Sequence, residues 1–70
     1  MLIERIEKER EAAGIRPEFL AHMIGVTGAT YYKWRKGTRI PADKLAELSK
    51  VLDCSADYLL GLTDKRKIAG

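Results

Sequence analysis

From Pro17 to Gly37 the chain reads Pro-Glu-Phe-Leu-Ala-His-Met-Ile-Gly-Val-Thr-Gly-Ala-Thr-Tyr-Tyr-Lys-Trp-Arg-Lys-Gly. Two short helical patterns fit into this stretch. Pro17 suits the first position of a helix, where its missing N–H removes no hydrogen bond. Phe19, Leu20, Met23 and Ile24 then recur at the spacing of an apolar stripe. Gly25 ends that helix and tolerates the positive φ that a tight turn demands. After Val26, Thr27 is a good N-cap for a second helix running to about Lys36, which Gly37 terminates. In that helix Tyr31 and Trp34 lie three apart and point inward. Gly28, Ala29, Tyr32, Lys33 and Lys36 take the outer side. Ala21 is small, so the later helix can cross closely over the earlier one.

Working outward, the same punctuation frames three more helices. Leu2 to Ala13 contains helix formers without Gly or Pro, carries Leu2, Ile3, Ile6 and Ala13 near one face, and stops at Gly14. A loop, Thr38-Arg39-Ile40-Pro41, leads to a helix from about Asp43 to Leu52 with Leu45, Leu48 and Leu52 as its stripe. Asp53 is a tolerable left-handed terminator. Ser55 caps a short helix from Ala56 to Leu60 that Gly61 closes. No run alternates long enough to make a strand. The expected fold is all-α with five helices: one domain over residues 1–64 and a short, basic, flexible tail over 65–70.

Composition narrows the function. Seventy residues, 46% hydrophobic, suffice for one small core. The single cysteine, Cys54, excludes an internal disulfide, and the lone His22 has no second ligand near it, so neither a metal nor a cofactor is expected. Cys54 reads as a buried, unreactive thiol. No apolar run approaches the length of a membrane span and the first residues lack the order of a secretory signal, so a cytoplasmic protein is expected. Net charge is only +3, but its distribution is uneven. Lys33, Arg35, Lys36 and Arg39 stand between Thr27 and Pro41 with no acid among them, whereas five acids face two lysines from Ala42 to Asp64. One side is suited to a polyanion and the other is not. Tyr58, Leu59, Leu60 and Leu62 are many large apolar residues for a short terminal helix; some complete the core, and one or two of these candidates form a two-fold contact between copies.

Two short helices joined by a three- to four-residue turn containing glycine make a helix-turn-helix, whose second helix enters the major groove of DNA. Leu20-Ala21, Ile24-Gly25-Val26-Thr27, then Tyr31, Trp34, Gly37 and Pro41 resemble the Cro/CI-type (XRE-like) helix-turn-helix repressor family of phages and bacteria. Leu45 to Leu52 and Ser55 to Gly61 look like that family's fourth and fifth helices, and the likeness runs from roughly Arg5 to Thr63. It implies a sequence-specific, double-stranded DNA-binding transcriptional regulator, a repressor of phage or mobile-element type acting as a homodimer on an inverted-repeat operator. Gly28, Ala29, Thr30, Tyr32 and Lys33 would face base edges, and Arg16, Thr27, Lys36, Thr38 and Arg39 the phosphates.

Four positions depart from the family pattern. Pro17 stands where glutamine is usual. Gly28 and Ala29 replace longer polar readers. Arg35 stands where an acid commonly pairs with the arginine matched by Arg10, so two cations meet and need a partner such as Glu11 or Glu47. A rival reading keeps the fold and turns the motif toward a protein partner, as in an antirepressor or antitoxin-like module. An enzyme is the weakest reading, since no nucleophile and base lie at useful spacing.

Overall fold

The computed structural model describes residues 2–67, the side chain of Leu2 excepted; Met1 and residues 68–70 lie outside it. Five helices follow in order: α1 Leu2–Ala12, α2 Pro17–Met23, α3 Gly28–Arg35, α4 Ala42–Val51 and α5 Ala56–Leu59. The expected boundaries hold to within a residue or two, and no strand occurs among the described residues. None of these helices is long and apolar enough to cross a membrane. α2 packs mainly on α3, and α5 packs on both α1 and α4.

The core forms where the apolar faces meet. Ile6, Leu20, Ala21, Leu48 and Leu59 are fully enclosed, and Tyr31 and Trp34 pack beside them edge to face, ring centres 5.9 Å apart. Only half of the α2 stripe contributes. Leu20 and Ile24 are buried, but Phe19 and Met23 stand on the outer face, 57% and 42% exposed. Adjacent positions lie 100° apart around a helix, so the contact with α3 takes one edge of a broad stripe and leaves the other in solvent. Cys54 is buried, as expected, and burial pushes its thiol up. Asp53 adopts a left-handed φ of 54°, the terminator expected after α4.

The tail expected to be flexible covers residues 65–70. Residues 68–70 lie outside the described part, but Arg66 is docked. Its guanidinium meets Glu9 of α1 at 2.6 Å and donates to the Leu52 and Asp53 carbonyls at the end of α4, at 3.0 and 3.2 Å. Glu9 is 6% exposed and also accepts the Tyr58 hydroxyl at 3.0 Å. Burial by itself would raise the Glu9 carboxyl. The hydrogen bonds from Arg66 and Tyr58, with the charges of Arg66 and Lys8, outweigh it and hold the group below its ordinary range. A carboxyl depressed in the folded state contributes stability that is complete above the unfolded value of 4.5 and is lost as pH falls through the folded value. Thermal melts between about pH 6 and about pH 3 should therefore show a fall in Tm that is smaller in Glu9→Gln. Equal falls in both proteins would assign the acid lability elsewhere.

Candidate nucleic-acid interface

The turn between α2 and α3 is built from the backbone outward. The Val26 N–H returns to the Ala21 carbonyl at 3.0 Å and that of Gly25 to His22 at 3.1 Å. Gly25 sits at φ 75°, the region that side chains resist. Val26 packs half-buried against the core. From α4, the Lys44 ammonium donates to the Ile24 carbonyl at 3.0 Å and so caps the negative end of α2. Nothing in the local pattern of residues 17–37 signals Lys44, because it arrives from 20 positions downstream.

Thr27 caps α3 as its position in the sequence suggests: its side-chain oxygen accepts the Thr30 N–H at 3.1 Å. The Thr30 hydroxyl lies 3.0 Å from it, so this hydroxyl points back toward the start of α3. Thr27→Ala is expected to lower stability by about 1 kcal/mol and Tm by about 4–8 °C. An unchanged melting curve would show that the cap is not needed.

α3 presents one open face. Gly28, Ala29, Tyr32, Lys33 and Lys36 are all exposed, Tyr32 at 55%. A Cβ at Gly28 would meet nothing within 4 Å, so the first turn is bare surface. The backbone N–H groups of this turn lack intrahelical acceptors by position and carry the positive end of the helix dipole. Lys36 folds over the Tyr32 ring, 5.2 Å from its centre. Arg16 is exposed as the residue preceding α2, and Pro17, Gly28, Tyr31, Tyr32 and Arg35 line a shallow cleft between the start of α2 and α3. Thr38 and Arg39 are exposed beyond the other end of α3, on the rim of a notch lined by Ile3, Trp34, Ile40 and Leu60. The residues expected at base edges, Thr30 partly excepted, thus share a surface flanked by those expected at phosphates.

Behind this face lies a charge cluster that the sequence reading assembled wrongly. Arg35 and Arg10 do meet, but neither Glu11 nor Glu47 resolves the repulsion. Glu7 of α1 does. One carboxylate oxygen pairs with Arg10, whose Nε donates to it at 2.7 Å, and the other lies 2.9 Å from the Arg35 Nε. Glu11 reaches Arg10 only at 3.7 Å. Arg10 also donates to the Ile15 carbonyl at 2.7 Å, tying the α1–α2 loop to the pair. The Tyr31 hydroxyl is buried beside this cluster; burial, then the Glu7 charge, push it up to about 12. Spacing hides the arrangement because Glu7 and Arg10 are local neighbours whereas Arg35 arrives from another helix. Glu7→Ala leaves two guanidinium groups facing each other. A loss of roughly 1–3 kcal/mol is expected in urea titrations, moderated by the half-exposure of Arg35. A loss below about 0.5 kcal/mol would mean that solvent serves the two arginines as well as Glu7 does.

The four residues read as a two-fold contact separate into two pairs. Tyr58 and Leu59 belong to the core, at 8% and 0% exposure, because α5 turns that side onto α1 and α4. Leu60 and Leu62 remain outside, 46% and 74% exposed.

A family model described as helix-turn-helix matches residues 6–59. The chain belongs to the helix-turn-helix family. This bears out the resemblance read from roughly Arg5 to Thr63. The chain is 40% identical over 58 residues to the repressor protein C2 of Salmonella phage P22, covering 81% of this chain and 27% of that protein. It is 37% identical over 65 residues to YobD of Bacillus subtilis (strain 168), an uncharacterized HTH-type transcriptional regulator, covering 91% and 58%. The chain therefore spans between about a quarter and three-fifths of these relatives. Among solved structures, it superposes on the P22 c2 repressor in complex with synthetic operator 9T with a TM-score of 0.77 and 38% identity, covering 84% of this chain and 91% of that one. The solution structure of the same repressor's DNA-binding domain gives 0.78 and 39%, covering 86% and 80%. These helix-turn-helix homologues are a transcriptional regulator and a repressor.

Proposed function

We propose that this protein is a sequence-specific double-stranded DNA-binding repressor of phage or mobile-element type, cytoplasmic, acting as a homodimer on an inverted-repeat operator. The observation that carries the reading is the outer face of α3. It is capped by Thr27 and exposed at Lys33 and Lys36, with Arg39 exposed beyond its end and no acid from 27 to 41. Thr27, Arg16, Lys36, Thr38 and Arg39 would hold phosphates, with the first-turn N–H groups of α3 beside Thr27. Ala29 and the Thr30 methyl would meet thymine methyls, Lys33 a guanine edge, and Tyr32 a base or sugar, with Gly28 letting the helix sit deep. The P22 c2 repressor, a homologue of the same fold, is solved in complex with a synthetic operator, which supports double-stranded DNA as the partner.

The test is selection of bound duplexes from a random pool, followed by salt titration of the enriched sequence. Enrichment of a two-fold symmetric site is expected, with affinity falling steeply as salt rises. Failure to bind any duplex at low salt would overturn the reading. A protein-partner reading draws on one observation, the exposed Phe19 and Met23 on the outer face of α2. It predicts no submicromolar duplex binding, on the order of the affinity expected of a specific site.

A further inference from the structure

Glu7 holds two arginines, and the fold uses the two differently. The Arg10 side chain is 11% exposed and spends its donors inside the molecule, on Glu7 and on the Ile15 carbonyl. Arg35 is 46% exposed. Its Nε lies 2.9 Å from the second Glu7 oxygen, yet that buried oxygen has no hydrogen-bond partner among the described residues, so charge alone joins the pair. Glu7 therefore places the Arg35 guanidinium without using up its fork of N–H groups.

Arg35 also stands beside an opening. Gly28, Tyr31, Tyr32 and Arg35 share one side of α3 at helical spacing, and with Pro17 and Glu18 they line the cleft between the starts of α2 and α3. Pro17 and Gly28, the first residues of the two helices, bring no polar side chain to it, and a Cβ at Gly28 would meet nothing within 4 Å. Of the residues lining this cleft, Arg35 is the cation. Arg16 flanks it, exposed and immediately before Pro17, and Tyr32 carries it onto the α3 face assigned to DNA. Glu18 opposes an anion here, but it is exposed and water screens its charge. A planar fork of uncommitted N–H groups matches two oxygens of one phosphate, the arrangement in which charge-assisted hydrogen bonds are strongest. The source of that phosphate is the duplex, because the neighbouring cations Arg16 and Lys36 would draw a continuous backbone past the cleft.

We propose that Arg35 is a phosphate-binding residue: held on one edge by the Glu7 charge, it takes a backbone phosphodiester of the duplex in the cleft between the starts of α2 and α3. The inference rests on the DNA-binding reading above and adds to it a contact from the residue that first looked like a misplaced charge. The test uses the selected duplex in a series in which each phosphate in turn is replaced by an uncharged methylphosphonate. The series is titrated with the wild-type chain, Arg35→Ala and Arg35→Gln, with circular dichroism as the check on folding. Arg35→Ala is expected to bind about 10-fold more weakly to selected and scrambled duplexes alike, and to lower the slope of log affinity against log salt by about 1. At one phosphate position the methylphosphonate should weaken the wild type about 10-fold and leave Arg35→Ala and Arg35→Gln unchanged. Arg35→Ala within about twofold of wild type, with the same salt slope, overturns the contact and leaves DNA binding standing. Variants weakened on every duplex that still respond to each methylphosphonate as the wild type does make Arg35 a support of the fold and overturn the contact. Loss of helicity in both variants overturns it in the same way. A wild-type chain that binds no duplex overturns the DNA-binding reading and this contact together.

Discussion

Trp34→Ala is expected to lower the unfolding free energy by about 3–5 kcal/mol, the largest effect of any single substitution considered for this chain. Trp34 is 3% exposed, stacks edge to face on Tyr31 and forms the inner side of α3. Truncation removes its transfer free energy, leaves a cavity and forfeits the ring contact, worth a further ~0.5–1.5 kcal/mol where it is not already counted. A domain of this size has a total stability of roughly 5–10 kcal/mol, so the variant sits near its own unfolding midpoint at 37 °C. Urea denaturation followed by circular dichroism reads the loss directly, and a change under about 1 kcal/mol would place Trp34 outside the core. Trp34→Phe keeps much of the volume and should recover most of the stability. DNA affinity should track folded population in both variants, because the indole is buried and supports α3 from behind.

The second large effect separates two kinds of contact on the DNA face. Lys33→Ala is expected to cost about 1–3 kcal/mol on the preferred site and to flatten preference at one base position. Arg39→Ala is expected to weaken binding to all duplexes alike and to reduce the slope of log affinity against log salt by about 1. Both substitutions fall on exposed positions without partners that the fold requires, so melting temperatures should stay within about 2 °C of wild type. Binding titrations on the selected site and on scrambled duplex, each at several salt concentrations, distinguish the two. Equal behaviour of the two variants would mean that Lys33 touches phosphate and that base preference comes from the small residues Gly28 and Ala29, or from the shape of the DNA.

Local pattern carried most of the fold. The boundaries of α2 and α3, the Thr27 cap, the inward Tyr31 and Trp34 and the left-handed Asp53 all follow from relations within one or two helical turns. Such relations are set by backbone geometry, which a sequence states directly. The outer face of α3 follows from the same periodicity, so its residues were legible before any contact was known.

What the tertiary structure alone decided is the sharing of each face among neighbours. Phe19 and Leu20 are both apolar and adjacent, yet only Leu20 is buried; Tyr58 and Leu59 enter the core while Leu60 and Leu62 stay out. Glu7, not Glu11, lies between Arg10 and Arg35, and Arg66 crosses the molecule to a buried Glu9. Each of these outcomes depends on where a second helix arrives, which is settled by the packing of the whole core rather than by spacing along one helix. A charged side chain has several acceptable partners in sequence, and only the fold brings one of them within 3 Å or so.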